Sequence, residues 1–90
     1  MNKTHTAIIV DDEPRARELL RNMLVQYCPH VQILAEAENV DNAVAAIKHN
    51  QPQTVFLDIE MPRVSGLRLP DFFNEEELNF NIVFVTAYSE

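Results

Sequence analysis

The chain has 90 residues, with 7 Lys+Arg against 14 Asp+Glu and a formal net charge of −7. That length holds one domain, its 47% hydrophobic and 23% charged residues suit a folded chain rather than a disordered one, and the acidic balance argues against direct binding of nucleic-acid phosphates. A single cysteine, Cys28, excludes an intramolecular disulfide and a Cys-based zinc cluster, and a single glycine, Gly66, excludes a G-x-G-x-x-G loop and a Walker-type P-loop.

Residues 6–10 (Thr-Ala-Ile-Ile-Val) form a short β-branched run that stops at Asp11-Asp12-Glu13. Pro14 follows, well placed for the first turn of a helix. From Pro14 to Tyr27 the apolar positions are Ala16, Leu19, Leu20, Met23, Leu24 and Tyr27, the one-face spacing of a helix. Arg15, Arg17, Glu18, Arg21 and Asn22 fill the opposite face, and Cys28-Pro29-His30 ends the helix. Residues 31–37 alternate loosely, as in a half-buried strand. Asn39 or Asp41 can cap a second helix, in which Val40, Ala43, Val44 and Ile47 share a face.

After a loop at residues 50–53, Thr54-Val55-Phe56-Leu57 reads as a strand covered on both faces, ending at Asp58. Residues 61–66 form another loop. Leu67, Leu69, Phe72 and Phe73 suggest a third helix, with Pro70 liable to kink or delay it, and Glu75-Glu76-Glu77 reads as a solvated face. Residues 81–86 form the fourth strand. The pattern βαβαβαβ implies right-handed crossovers and a parallel sheet with helices on both faces. No apolar run approaches the roughly 18 residues of a membrane span, and residues 1–5 carry no secretory h-region. The expectation is a soluble, cytoplasmic α/β domain without membrane contact.

In open α/β sheets, ligands bind beyond the carboxyl ends of strands. The first strand ends in Asp11-Asp12-Glu13, the third in Asp58 with Glu60 two residues on, and the fourth in Thr86. Were the first and third strands neighbours, strand spacing would bring the carboxylates within roughly 5–10 Å of one another. Like charges so close raise the pKa of at least one group unless a cation intervenes. An oxygen-only site of this kind suits Mg²⁺, which takes one or two carboxylates plus water and phosphate oxygens. Taken singly, Asp11-Asp12 also reads as an acid pair at a helix N-terminus, Asp58 as a turn former, and Thr86 as a strand residue or cap. Their joint occurrence at three strand ends is harder to assign to turn chemistry.

The segments Ile8 to Pro14, Val55 to Pro62, Gly66 and Val83 to Ala87 together resemble a response-regulator receiver domain of two-component signalling. Residues 11–17 and 86–90 further resemble receivers that precede a LytTR-type DNA-binding domain. The resemblance implies a doubly wound, flavodoxin-like sheet in strand order 2-1-3-4. It implies that Asp58 is the phosphoacceptor for a sensor histidine kinase, with Asp11, Asp12, Asp58 and the backbone carbonyl of Glu60 around Mg²⁺. Thr86 and Ala87 would bind the phosphoryl group and switch, and Met61, Pro62 and Gly66 would shape the loop after Asp58. The implied output is transcriptional, through DNA binding elsewhere. A phosphorylation-independent interaction module and a small Mg²⁺-dependent phosphohydrolase are the competing functions.

Receivers also have a fifth strand ending in lysine and a last helix. Strand starts at 6, 31, 54 and 81 repeat every 25 residues on average, so five units need about 125. Lys3 and Lys48 do not stand at a strand-five end. The expectation is therefore a receiver domain over residues 1–90, C-terminally truncated, lacking the fifth strand and last two helices and carrying no linker or effector domain. An apolar fourth strand at a sheet edge then predicts a homodimer or exchanged dimer.

Overall fold

The computed structural model describes residues 4–85. Four parallel strands, β1 (His5–Val10), β2 (Val31–Ala37), β3 (Thr54–Leu57) and β4 (Asn81–Phe84), form one sheet in the order β2-β1-β3-β4. Helix α1 (Pro14–Tyr27) joins β1 to β2, and α2 (Val40–Asn50) joins β2 to β3. This is the doubly wound, flavodoxin-like arrangement expected from the alternation of elements. The register brings the strand ends level: Val10 pairs with Ala37 on one side and Leu57 on the other, and Leu57 pairs with Phe84.

Both helices begin where local chemistry dictates. Pro14 occupies the first turn of α1, where its missing N–H costs no helical bond. Between the two candidate caps of α2, the structure selects Asn39, whose side-chain oxygen accepts the Asn42 N–H at 2.7 Å. Asp41 instead lies in the first turn, where the helix dipole favours its charge.

The third helix departs from expectation. In place of one α-helix, the chain makes two 3-10 helices, Gly66–Phe72 and Glu75–Glu77. Pro70 lies inside the first and can donate no backbone bond, while its carbonyl accepts the Phe73 N–H three residues on, at 3.1 Å. Asn74 and Glu77 exchange side-chain bonds in a capping box that closes the second, so Glu77 does more than face solvent.

The core lies on one face of the sheet. Ile8, Val10, Val55 and Leu57 pack with Val40, Ala43 and Ile47 of α2 and with Leu69, all of them buried. Side chains alternate along a strand, so Ala7 and Ile9 face the other way, toward α1. The apolar stripe of α1 is only partly covered: Leu24 is buried, whereas Leu19, Met23 and Tyr27 are exposed. Among the described residues α1 packs chiefly on β2 and β1.

Candidate functional site

The site stands at the carboxyl ends of β1 and β3, the two central strands. The Asp11 N–H donates to the Ala37 carbonyl at 3.0 Å and the Asp58 N–H to the Val10 carbonyl at 2.9 Å, so the ladder continues into the acid-bearing turns. Carboxylate oxygens of Asp11, Asp12 and Asp58 lie within 4.8 Å of one another, at the near end of what strand spacing suggests. No other group of three or more potential metal-ligating side chains is found among the described residues.

Each arm of the site is shaped locally. On the β1 arm, the Asp11 carboxylate accepts the Glu13 N–H at 2.9 Å. The Asp11 carbonyl accepts Nη1 of Arg17 at 2.6 Å. On the β3 arm, the Asp58 carboxylate accepts the Glu60 N–H at 3.3 Å. The loop after Asp58 folds back on itself: the Gly66 N–H donates to the Ile59 carbonyl at 2.8 Å, and Ser65 Oγ donates to the same oxygen at 3.2 Å. Gly66 is required there because a β-carbon would overlap the Asp58 carbonyl oxygen. Met61 is buried beneath the loop, Pro62 is exposed, and Arg63 takes a left-handed backbone with φ of 70°.

Burial pushes the Asp58 carboxyl above its usual pKa, and the neighbouring Asp11 charge pushes it further. The Glu60 amide bond offsets part of this, and the Asp12 and Glu60 charges add to the rise. Three acids offering only oxygen, crowded together with the Asp58 pKa raised by burial and by its neighbours' charge, are a donor set that fits a hard divalent cation. Neutralising charge there would favour the ionised, nucleophilic form of Asp58.

Among the residues singled out from sequence, Asp11, Asp12 and Asp58 converge, with Glu60 following in the Asp58 turn and Gly66 against its carbonyl. Val85 extends the β4 ladder by donating to the Leu57 carbonyl at 2.9 Å, while Thr86 and Ala87 lie outside the described residues. Lys48 sits in the last turn of α2 and pairs with Glu77 at 3.8 Å, with no part in the acid cluster. Arg17 was missed. Helical spacing puts it on the polar face, yet its side chain turns onto the Asp11 carbonyl and Glu36 of β2. Only its position one turn past the acids hints at this.

With fold and site in place, comparison with known proteins identifies the class. Residues 7–90 match the family described as response regulator receiver domain, and the chain belongs to that family. An uncharacterized response regulatory protein of Vibrio cholerae is 41% identical over 90 residues, all of this chain and 34% of its own length. The transcriptional regulatory protein BtsR of Escherichia coli is 41% identical over 83 residues, covering 92% of this chain and 34% of that protein. The chain thus spans about a third of the length of these curated relatives. Among solved structures, the response regulator TrrA of Thermotoga maritima, in complex with Mg²⁺–BeF, superposes with a TM-score of 0.80 at 35% identity, over 96% of this chain and 72% of that one. The receiver domain of NarL from Mycobacterium tuberculosis gives a TM-score of 0.84 at 25% identity, over 98% of this chain and 70% of that one. Among the described residues, no helix is long and apolar enough to cross a membrane.

Proposed function

We propose that Asp58 is the phosphoacceptor of this receiver domain, charged by a sensor histidine kinase with the help of Mg²⁺. The observation that carries this reading is the approach of Asp11, Asp12 and Asp58 oxygens to within 4.8 Å at the ends of β1 and β3. Asp11, Asp12, Asp58 and the carbonyl of Glu60 are the groups that would hold the cation. When bound, it supplies positive charge for the phosphoryl oxygens.

An Asp58 carboxylate oxygen attacks phosphorus, a P–O bond forms, the P–N bond to the kinase histidine breaks, and the imidazole leaves with the electron pair. The loop pinned by Gly66 and Ser65 holds Asp58 at the strand end for that attack. The product adds negative charge and acceptor oxygens. Thr86 and Ala87 are the groups we assign to sense them, and the output is transcriptional, through a DNA-binding domain of the LytTR type rather than through this acidic segment. The relatives named as transcriptional regulators support the transcriptional part. Self-association along β4 is carried in the same reading, β4 having β3 as its one strand neighbour among the described residues.

Incubation with Mg²⁺ and a small phosphoryl donor tests the reading by intact mass. The expected gain is about 80 Da, the mass of one phosphoryl group, absent from Asp58→Asn and absent without Mg²⁺. An unmodified mass for the intact protein under these conditions would overturn it.

A further inference from the structure

We propose that Arg17 is the positioning residue for the β1 arm of the acid site, a guanidinium clamp that sets where Asp11 and Asp12 point. This inference rests on the phosphoacceptor reading only for its consequence, not for its geometry. Nη1 of Arg17 donates to the Asp11 carbonyl at 2.6 Å, while Nε donates to Glu36 Oε1 at 3.2 Å. The Asp11 carbonyl belongs to the same planar peptide as the Asp12 nitrogen. Holding that carbonyl therefore fixes the plane from which the Asp12 side chain departs.

The other side of Asp11 is held by β2, whose Ala37 carbonyl accepts the Asp11 N–H at 3.0 Å. Arg17 and β2 thus grip the residue from both ends, and Glu36, one residue before Ala37, anchors the guanidinium to the same strand. The Arg17 N–H also donates to the Glu13 carbonyl at 3.1 Å, so the turn between the acids and the clamp is closed by its own backbone.

The chemistry calls for arginine. Its N–H groups diverge at fixed angles and reach a carbonyl and a carboxylate at once, whereas lysine offers one nitrogen. The side chain is 19% exposed, so the contact is less screened than an open surface pair. Arg21 provides the built-in control. It pairs with the other oxygen of Glu36 and makes no hydrogen bond to Asp11. An arginine that merely ties α1 to β2 would behave like Arg21; a clamp on the acids would not.

Two readouts on the intact chain test the clamp. The first is amide exchange at Asp11 and Glu13 by NMR without metal, since the Glu13 N–H is bonded to the Asp11 carboxylate at 2.9 Å. The second is Mg²⁺ affinity, from shifts of the same amides on titration with MgCl₂. Arg17→Ala should speed exchange on the order of tenfold, as expected for loss of a charge-assisted hydrogen bond. It should also weaken Mg²⁺ binding about tenfold, the scale seen when partners that orient metal ligands are removed. Arg17→Lys should fall between Arg17→Ala and wild type, and it serves in place of Arg17→Ala if that variant does not fold. Arg21→Ala should leave both readouts at wild-type values. Unchanged exchange in the Arg17 variants, or equal acceleration in Arg21→Ala, would overturn the clamp. If wild type binds no Mg²⁺, the phosphoacceptor reading fails, while the exchange comparison still decides the clamp.

Discussion

The two arms of the acid site are held by different forces. The β3 arm rests on packing: Val55 and Leu57 lie in the buried core, Leu69 and Met61 close beneath the following loop, and Gly66 touches the Asp58 backbone too closely for any side chain. The β1 arm leaves the same core at Val10 but is then carried by polar contacts, from the Ala37 carbonyl, the Arg17 guanidinium and Glu36. Asp58 thus stands on the stiffer support, and Asp11 and Asp12 stand on the one that responds to charge. Packed interiors resist small displacements, whereas partly exposed ion pairs weaken with salt.

The largest effect should come from the packed arm. Leu57→Ala removes a fully buried side chain directly before Asp58, and chemical denaturation should show a loss of about 3 kcal/mol. A loss below about 1 kcal/mol would mean that the site can relax, and the contrast between the arms would collapse.

Gly66→Ala should come next. The added methyl must push against the Asp58 carbonyl, so the expected cost is about 1–3 kcal/mol with slower phosphorylation of Asp58 by a small donor. Normal stability with normal phosphorylation would show that the loop gives way freely.

A smaller, pH-dependent effect should follow from Asp58 itself. Burial and the Asp11 charge raise its pKa in the folded state, so the fold holds this proton more tightly than the unfolded chain does. The resulting stabilisation is present below the ordinary carboxylate pKa and is lost as pH rises through the raised value. Thermal melts of wild type should therefore fall relative to Asp58→Asn on going from acid to neutral pH, and saturating Mg²⁺ should narrow the gap. A gap independent of pH would remove charge repulsion from the account.

The smallest effect should come from the exposed end of the α1 stripe. Tyr27 is 70% exposed, and Tyr27→Ala should change stability by no more than about 0.5 kcal/mol. A larger loss would reveal a partner for that stripe and make the two sides of the sheet more alike than the present contrast allows.

Much of this was legible in the residues themselves. Pro14 and the apolar spacing to Tyr27 locate α1 to the residue, and Thr54 to Leu57 marks β3, because both signals are local. Asp11, Asp12 and Asp58 stand out because strand ends in a parallel sheet converge. The segment around Pro70 was less legible, since apolar spacing cannot distinguish an α-helix from 3-10 turns when a proline interrupts the bonding. Arg17 was legible only as a polar side chain one turn past the acids. A long polar side chain on a helix can turn to water or to a neighbouring strand, and Glu36 decides the matter only once β2 lies beside β1. The same holds for Leu19 and Met23, whose spacing marks a stripe without saying what covers it.

The strand order has a consequence for how the site comes into being. β1 lies between β2 and β3, so the acids of the β1 turn are made early in the chain while their third member arrives only at residue 58. Pairing of β1 with β2 closes a short βαβ loop, whereas pairing with β3 must close a longer one that contains it. Loop-closure entropy grows with length, though slowly, and such non-local pairings are the slower part of folding. Asp11 and Asp12 can thus be in place before Asp58 joins them. Electrostatic repulsion among the three then opposes the pairing of β1 with β3, a cost that a cation held between them would offset.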